Sequence, residues 1–391
     1  DLGLFSVEKR PFLRYYYPMK ILAIETSCDD TGIAILEAKG LFKPNFTVLS
    51  NVVSSQIEIH KQYGGVFPMM AKREHQKNLV PVLTESLEKA NLLKEGKQNL
   101  DEKILRTIFE KEEDLFGLTK QFLETHQKPN IDAIAVTYGP GLEPCLWVGI
   151  NFARALSFTW DIPLIPTNHI EAHILVNCLN NKDISFPALS LIVSGGHTQL
   201  ILVKKIGKYE IIGETRDDAA GECFDKAAKM LGLKYPGGPL ISKIASTITE
   251  SPITLPRPMM HSKDYDFSFS GLKTAILNEV KAKELTKEYV AKMCFSVQEA
   301  IVDVLVKKTI AAAKDYRVKT IILGGGVSAN LELRKQLGEK ITEELPKVEY
   351  IIPEASLSTD NGLMIAVASF FHKKATIPWQ KLKANANLRV N

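Results

Sequence analysis

From Lys20 onward the chain alternates short apolar runs with polar, glycine-containing turns. Ile21-Leu22-Ala23-Ile24 is followed by the turn Glu25-Thr26-Ser27-Cys28-Asp29-Asp30-Thr31-Gly32 and then by Ile33-Ala34-Ile35-Leu36, the pattern of a β-hairpin. The same device recurs at residues 189–192 and 200–203, around Ser194-Gly195-Gly196-His197-Thr198. Two such hairpins predict a duplicated fold in which each lobe opens the same way. Between them, residues 74–93 carry Leu79, Val82, Leu83 and Leu87 at helical spacing, running toward Gly96. Residues 132–137 form an apolar strand that ends in Gly139-Pro140-Gly141, and residues 148–160 read as a helix. A further strand at 320–323 leads into Gly324-Gly325-Gly326 and a helix over 331–338. Strands alternating with helices predict α/β architecture.

Residues 91–128 differ in character. They are charge-rich, with Leu100, Ile104, Ile108, Leu115, Leu118 and Phe122 at three- and four-residue steps, which predicts one or two amphipathic helices inserted into the first lobe. The expectation is a helical excursion on the outside of that lobe, its charges forming a solvated face or a docking face for a partner. Residues 1–18 also stand apart. They hold a cationic cluster of Lys9, Arg10 and Arg14 among aromatics and lack the apolar stretch of a secretory signal. They read as an extension outside the fold, with an organellar presequence as the alternative; Met19 is the next natural start.

Composition narrows the classes. A length of 391 residues suggests two lobes, and 45% apolar with 24% charged residues allows a core throughout and excludes wholesale disorder. No apolar run approaches the ~18 residues of a membrane helix. A net charge of +4 permits a nucleic-acid partner without arguing for one. The five cysteines are scattered and never paired as C-x-x-C, which fits a reducing compartment and excludes a disulfide framework or a thiolate zinc site.

Candidate chemistry starts at Asn168-His169-Ile170-Glu171-Ala172-His173. Histidines at i and i+4 share one helical face, so both imidazoles can reach one metal, although such pairs also occur as core polar residues. A zinc protease places its glutamate beside the first histidine; Glu171 lies roughly 200° around the helix from His169 and cannot serve that ion as a base. Ser194-Gly195-Gly196-His197-Thr198 is either a tight hairpin turn or a cradle in which backbone N–H groups approach phosphate. Gly324-Gly325-Gly326-Val327-Ser328-Ala329-Asn330, a strand, three glycines and a helix start, favours a nucleotide-facing role. Asp217, Asp218, Glu222 and Asp225 crowd another helix start with Lys226; some of them cap it, and Asp225 and Lys226, inside the helix, are the better ligand candidates. Tyr235-Pro236-Gly237-Gly238-Pro239 exposes backbone, with Gly238 free to abut a ribose. In Ser358-Thr359-Asp360-Asn361-Gly362, Asp360 either caps the following helix or completes a metal site; on spacing alone the cap is preferred.

Taken together and in order, Glu25–Thr31, Tyr63-Gly64-Gly65-Val66-Phe67-Pro68, Gly139-Pro140-Gly141-Leu142, H-x-E-A-H, S-G-G-H-T, F-D-K, Y-P-G-G-P, G-G-G-V-S-A-N and T-D-N-G resemble the TsaD family of tRNA adenosine threonylcarbamoyltransferases. The resemblance spans residues 20–371, and residues 378–390 are similar to the family's C-terminal tail. It implies the ASKHA fold of actin, Hsp70 and sugar kinases, two RNase H-like lobes around a nucleotide cleft. The lobes would be residues 19–168 and 169–354, with 355–391 returning to the first. It further implies that His169, His173 and Asp360 hold a metal, usually iron (Fe2+), with Zn2+ or another divalent ion as alternatives. That assignment reverses the cap reading of Asp360. Ile192, Val193, Ser194, Gly195, Gly196, Asp225, Gly238 and Asn330 would line the adenylate pocket.

The implied activity is transfer of threonylcarbamoyl from threonylcarbamoyl-AMP to N6 of the adenosine next to the anticodon (position 37) of tRNAs reading codons that begin with adenosine. No residue declares itself as the base. The implied partners are tRNA, a paralogous TsaB-like subunit and a TsaE-like ATPase; the implied location is cytoplasmic, with no membrane association. The chain departs from the family's pattern at Glu143-Pro144-Cys145, where Gly-Ser is usual, at Met69-Met70, and in the long 91–128 segment. Rival readings are a small-molecule kinase of the same fold, which gains nothing from H-x-x-x-H, and a non-catalytic nucleotide-binding scaffold.

Overall fold

Strand β1 (Met19–Glu25) is buried on both faces, as its unbroken apolar run requires, with Leu22 and Ile24 on one side and Ile21 and Ala23 on the other. In the computed structural model, which describes residues 18–40, 44–179, 184–281 and 283–391, this strand centres a five-stranded sheet. β2 (Asp30–Lys39) and β3 (Asn45–Ser55) extend it antiparallel on one edge. β4 (Ala133–Gly139) and β5 (Leu164–Asn168) extend it in parallel on the other, in the order β3-β2-β1-β4-β5. The second sheet repeats the plan around β6 (Ala188–Val193). β7 (Thr198–Lys205) and β8 (Lys208–Glu214) are antiparallel, and β9 (Thr320–Gly324) and β10 (Glu349–Ile351) parallel, in the order β10-β9-β6-β7-β8. The predicted hairpins are β1–β2 and β6–β7, and the duplication extends to the whole sheet. The expected α/β, two-lobed ASKHA architecture is present. Residues 1–17, with Lys9, Arg10 and Arg14, lie outside the described residues.

Helices form three layers around the two sheets. A short turn of helix α1 (Ile57–His60), α2 (Pro68–Lys89), α3 (Glu102–Ile108), α4 (Glu113–Thr125) and α5 (Glu143–Trp160) lie on the outer side of the first sheet. α7 (Ala220–Met230), α8 (Gly237–Ala245), α9 (Ser270–Lys281), α10 (Lys287–Asp315) and α11 (Leu331–Glu344) pack on the second lobe's outer core. Between the sheets sit α6 (His169–Leu175) and α12 (Gly362–Phe371), in one apolar cluster with Ala23, Ala34 and Ala135 of the first sheet and Ile192, Ile201 and Ile322 of the second. Small side chains on the inner strand faces let these helices lie close. A Cβ on Gly362 would stand 2.5 Å from the backbone nitrogen of Ala34, so only glycine fits where α12 meets β2.

Two expectations change. The helix read at 74–93 runs instead over Pro68–Lys89; Pro68 is preorganised for a first helical turn, and Asn91 in a left-handed conformation (φ 55°) ends it. The segment 91–128 does form two helices, but it is no excursion. Leu105, Ile108, Phe109, Leu115, Phe116, Phe122 and Leu123 are buried in the same cluster as β1, α2 and α5. α5 is apolar nearly all round, so the sheet can cover only part of it and α3 and α4 cover more. Even a charge is taken inside: Glu112 is 2% exposed, accepts a bond from Asn151 Nδ2 at 2.9 Å and pairs with Lys72 at 3.3 Å.

The C-terminal segment then crosses both lobes. Ile377 pairs with Leu164, the N–H of Asn385 donates to the carbonyl of Tyr138, and the Arg389 guanidinium reaches Glu214 on β8 at 2.9 Å. If the 91–128 segment is core, Phe109→Ala should cost about 3–5 kcal/mol, the range for emptying a buried phenylalanine site. The shift in denaturant midpoint measures it; an outer excursion would give almost none.

Candidate functional site

The ends of α6 and α12 meet at the edge of the central layer. Asn168 caps α6, its side chain accepting from the N–H groups of Ile170 and Glu171, and this starts the helix with His169 in its first turn. One turn on, His173 lies on the same face; the two rings are 4.7 Å apart, edge to face. Asp360 reaches them from the entry to α12, with Oδ1 at 3.2 Å from His173 Nε2 and 3.6 Å from His169 Nε2. The cap of α12 is Asn361, whose side chain accepts from the N–H of Met364. Asp360 is therefore free of capping, against the reading from spacing alone. The three donors lie within 4.8 Å of one another. Donors bound at ~2.1 Å to one ion stand roughly 3.0–3.4 Å apart at octahedral or tetrahedral angles, so the set fits a divalent metal with little movement.

The residues behind the ligands strengthen this fit. His169 Nδ1 faces Glu25 Oε2 at 3.3 Å and Ser27 Oγ at 3.1 Å, which leaves Nε2 for a metal. Glu25 is fully buried and is itself fixed by the Thr137 hydroxyl and the Ser27 N–H, both donating at 2.5 Å. Sequence reasoning gave Glu25 no role, since 144 positions separate it from His169 and only the fold joins them. Its one local signal was an acid directly after an apolar strand. Burial by itself lowers the pKa of His169, but the carboxylates of Asp360 and Glu25 outweigh it and raise it to about 9. Burial likewise raises Asp360, and the fields of His169 and His173 outweigh that and lower it to about 2. His197 feels the opposite balance: burial, then the neighbouring His169 and His173, lower it to about 4. Glu171 points away from the metal ligands, accepting from Tyr209 Oη at 2.6 Å and pairing with His372 Nε2 at 2.8 Å.

The candidate nucleotide residues divide into two groups. Ser194, Gly195 and Gly196 form the turn between β6 and β7, and a Cβ on either glycine would meet open space. Ile192 and Val193 have fully buried side chains in the apolar cores, so only their backbone can face a ligand. Any part they take in an adenylate pocket is therefore through backbone groups. Asn330 caps α11, accepting from the N–H of Leu333 at 3.0 Å while its amide donates to Gln298 at 2.9 Å. These bonds leave one N–H and one lone pair for a ligand. Asp225 accepts from the N–H of Gly237 at 2.7 Å, pinning the start of α8, and Gly238 follows one residue on. In the glycine triplet, Gly325 needs its positive φ of 84° and lies against the Val193 backbone, Gly324 lies against Ile192 and the His173 carbonyl, and Gly326 faces open space.

Acidic groups concentrate beside these residues. Asp29, in the β1–β2 turn, and Asp30, the first residue of β2, have pKa values raised by burial and by Asp360, Asp30 to about 7. Asp30 Oδ1 is buried without a hydrogen-bond partner among the described residues. Asp225 is raised as well, by burial and in part by Asp29 across the cleft. Such a site favours a bound cation and hydrogen-bond donors over further negative charge. The five cysteines are all free thiols.

Comparison with known proteins identifies the family. The model of the TsaD family, described as tRNA N6-adenosine threonylcarbamoyltransferase, matches residues 47–98 and 112–367; the unmatched stretch between them contains α3. Proteins named tRNA N6-adenosine threonylcarbamoyltransferase are similar over nearly the whole chain. That of Geobacillus thermodenitrificans is 43% identical over 373 residues, 95% of each chain. That of Thermosipho africanus is 43% identical over 375 residues, 95% of this chain and 100% of the relative. Among solved structures, full-length HypF in its phosphate- and nucleotide-bound form matches with a TM-score of 0.54 at 12% identity, covering 91% of this chain and 55% of that one, a likeness of fold.

Two outcomes test the site. Glu25→Gln, which keeps the shape but removes the charge facing His169 Nδ1, should weaken metal binding about 10–100-fold, as loss of such supporting carboxylates does; calorimetric titration of the metal-free protein measures it. Asp30→Asn should stabilise the fold increasingly as pH rises. The unfolded carboxyl ionises near its ordinary 3.8 while the folded one keeps its proton to about 7, so the native penalty starts above the first value and is complete above the second. Denaturant melts at pH 4 and pH 8 should show no gain at the former and a clear gain at the latter.

Proposed function

The chain belongs to the tRNA N6-adenosine threonylcarbamoyltransferase family, and we propose that the cleft beside His169, His173 and Asp360 is where it moves threonylcarbamoyl from threonylcarbamoyl-AMP to N6 of the adenosine next to the anticodon. The target would be position 37 of tRNAs reading codons that begin with adenosine. One observation carries the reading: three donors that could hold a metal converge from α6 and from the entry to α12, in the layer between the two lobes, with Gly324 of the glycine triplet against the His173 carbonyl.

In this reading His169, His173 and Asp360 hold a divalent ion, Fe2+ before Zn2+, with Glu25 fixing the tautomer of His169. When bound, that ion supplies Lewis acidity to the electrophile. The chain's own residues supply the rest. Backbone N–H groups of Gly195 and Gly196, with Ser194 Oγ, receive the adenylate phosphate. Gly238 lets the ribose lie close, and Asp225 and the spare amide valences of Asn330 take polar groups of the nucleoside. An aryl amine is a weak nucleophile, so holding N6 against the carbamoyl carbon contributes more than any base, and none is assigned. A TsaB-like paralogue and a TsaE-like ATPase as partners, and a cytoplasmic location, complete the reading. No helix among the described residues is long and apolar enough to cross a membrane.

Incubating the protein, with its partner subunits if the chain alone is slow, with threonylcarbamoyl-AMP and unmodified tRNA should yield the modified adenosine in a nucleoside digest. His169→Ala, His173→Ala or prior chelation should abolish most of it while circular dichroism stays unchanged. ATP consumption with no modified nucleoside would favour the kinase reading instead.

A further inference from the structure

The two lobes also face each other at a place whose lining includes none of the three metal candidates. A cavity of about 290 Å³ there is lined by Lys61 and Tyr63 of the first lobe and by Asp225, Lys229, Lys234 and Tyr235 of the second. That is the lower end of ligand-pocket size, suited to one nucleotide and not to a helical stem. All three lysines are exposed; Lys61 pairs with Glu58, whereas Lys229 and Lys234 have no ion pair among the described residues. Three like charges around one opening repel one another, and a polyanion is their complement.

Beside the lysines lies an aromatic platform. Tyr63 and Phe67 are each 52% exposed, yet their rings stack on each other at 5.9 Å and 22°. The loop between them is anchored from below, the Phe67 N–H donating to Nδ1 of the fully buried His60 at 3.4 Å while His60 Nε2 bonds Gln56 at 3.2 Å. A fixed, solvent-facing pair of rings among lysines offers stacking to a base and charge to phosphates, the pairing that recognises single-stranded nucleic acid. The cavity shares Asp225 with the proposed site, where that carboxylate accepts from the Gly237 N–H at 2.7 Å. Tyr235 is close enough to Asp29, Asp30 and Asp225 for their charges to raise its pKa, and Asp29 in turn feels Asp360.

We propose that this mouth is where the tRNA anticodon loop docks. A base flanking the target adenosine stacks on Tyr63 and Phe67, Lys61, Lys229 and Lys234 take loop phosphates, and the target nucleotide passes inward past Tyr235 toward the adenylate held at Asp225. The proposal rests on the tRNA reading above and places its substrate on a surface.

The test compares the full chain with Lys229→Ala/Lys234→Ala, Tyr63→Ala and Tyr63→Phe, each metal-loaded. The probes are unmodified tRNA over ~50–150 mM salt and, separately, threonylcarbamoyl-AMP. The double lysine variant should bind tRNA more weakly and flatten the salt dependence by about 1.4 in log–log slope, two single-strand phosphate contacts at ~0.7 each. Tyr63→Ala should lose about tenfold in tRNA affinity, the middle of the range for one stacked base, and Tyr63→Phe should restore it. Adenylate affinity and metal content should match the parent throughout. Variants that bind tRNA like an active parent, with the same salt slope, overturn the docking surface alone. Adenylate affinity falling in step with tRNA affinity also overturns it, by showing the mouth to be part of the nucleotide pocket. A parent that binds the adenylate yet leaves tRNA unmodified even with its partner subunits present overturns the functional reading and the surface with it.

Discussion

Two short helices trapped between two sheets set the geometry of this protein. α6 and α12 are buried along nearly their whole length because each meets a sheet above and below, α12 with almost only apolar and small residues and α6 with its His and Glu side chains paired inside. Close approach is allowed by alanines on the inner strand faces and by Gly362 against β2. The metal candidates sit where the N-terminal ends of these two helices meet. His169 and His173 come from the first helix and Asp360 from the entry to the second, so each lobe's packing helps fix the distances between donors. The C-terminal segment adds a strap, with Asn168, which caps the ligand helix, donating from Nδ2 to the Arg389 carbonyl at 3.3 Å.

The same confinement creates an electrostatic tension. Glu25, Asp29, Asp30, Asp225 and Asp360 are gathered around one cleft, and burial resists the ionisation of Asp29, Asp30 and Asp225. The charge is balanced locally where histidines face carboxylates, and left unbalanced at Asp30, whose Oδ1 has no partner among the described residues. Such an arrangement sacrifices stability for a site that attracts a cation. On the far side of α6, Glu171 satisfies Tyr209 and His372, which ties the back of the ligand helix to β8 and to the end of α12.

Periodicity made some of this legible and left some hidden. The two hairpins, the helical histidine pair and the glycine turns are local patterns, because strand alternation and helical rise are set by neighbours in sequence. The 91–128 segment was legible as helical and misread in position. Its charges suggested an exposed excursion, while the unusually apolar α5 implied that something had to cover it. Asp360 illustrates the other limit: a carboxylate beside a helix start is most simply a cap, and only the structure shows Asn361 in that role.

The sequence by itself determined the element types, the duplicated plan and the candidate ligands, since each depends on spacing or on an ordered set of motifs. Tertiary structure alone decided that Glu25 faces His169, that the side chains of Ile192 and Val193 enter the cores, and that Lys61 and Tyr63 share a cavity with Lys229 and Lys234. These are contacts between residues far apart in the chain. Their formation depends on how two sheets close over a common layer of helices, and no local pattern encodes that distance.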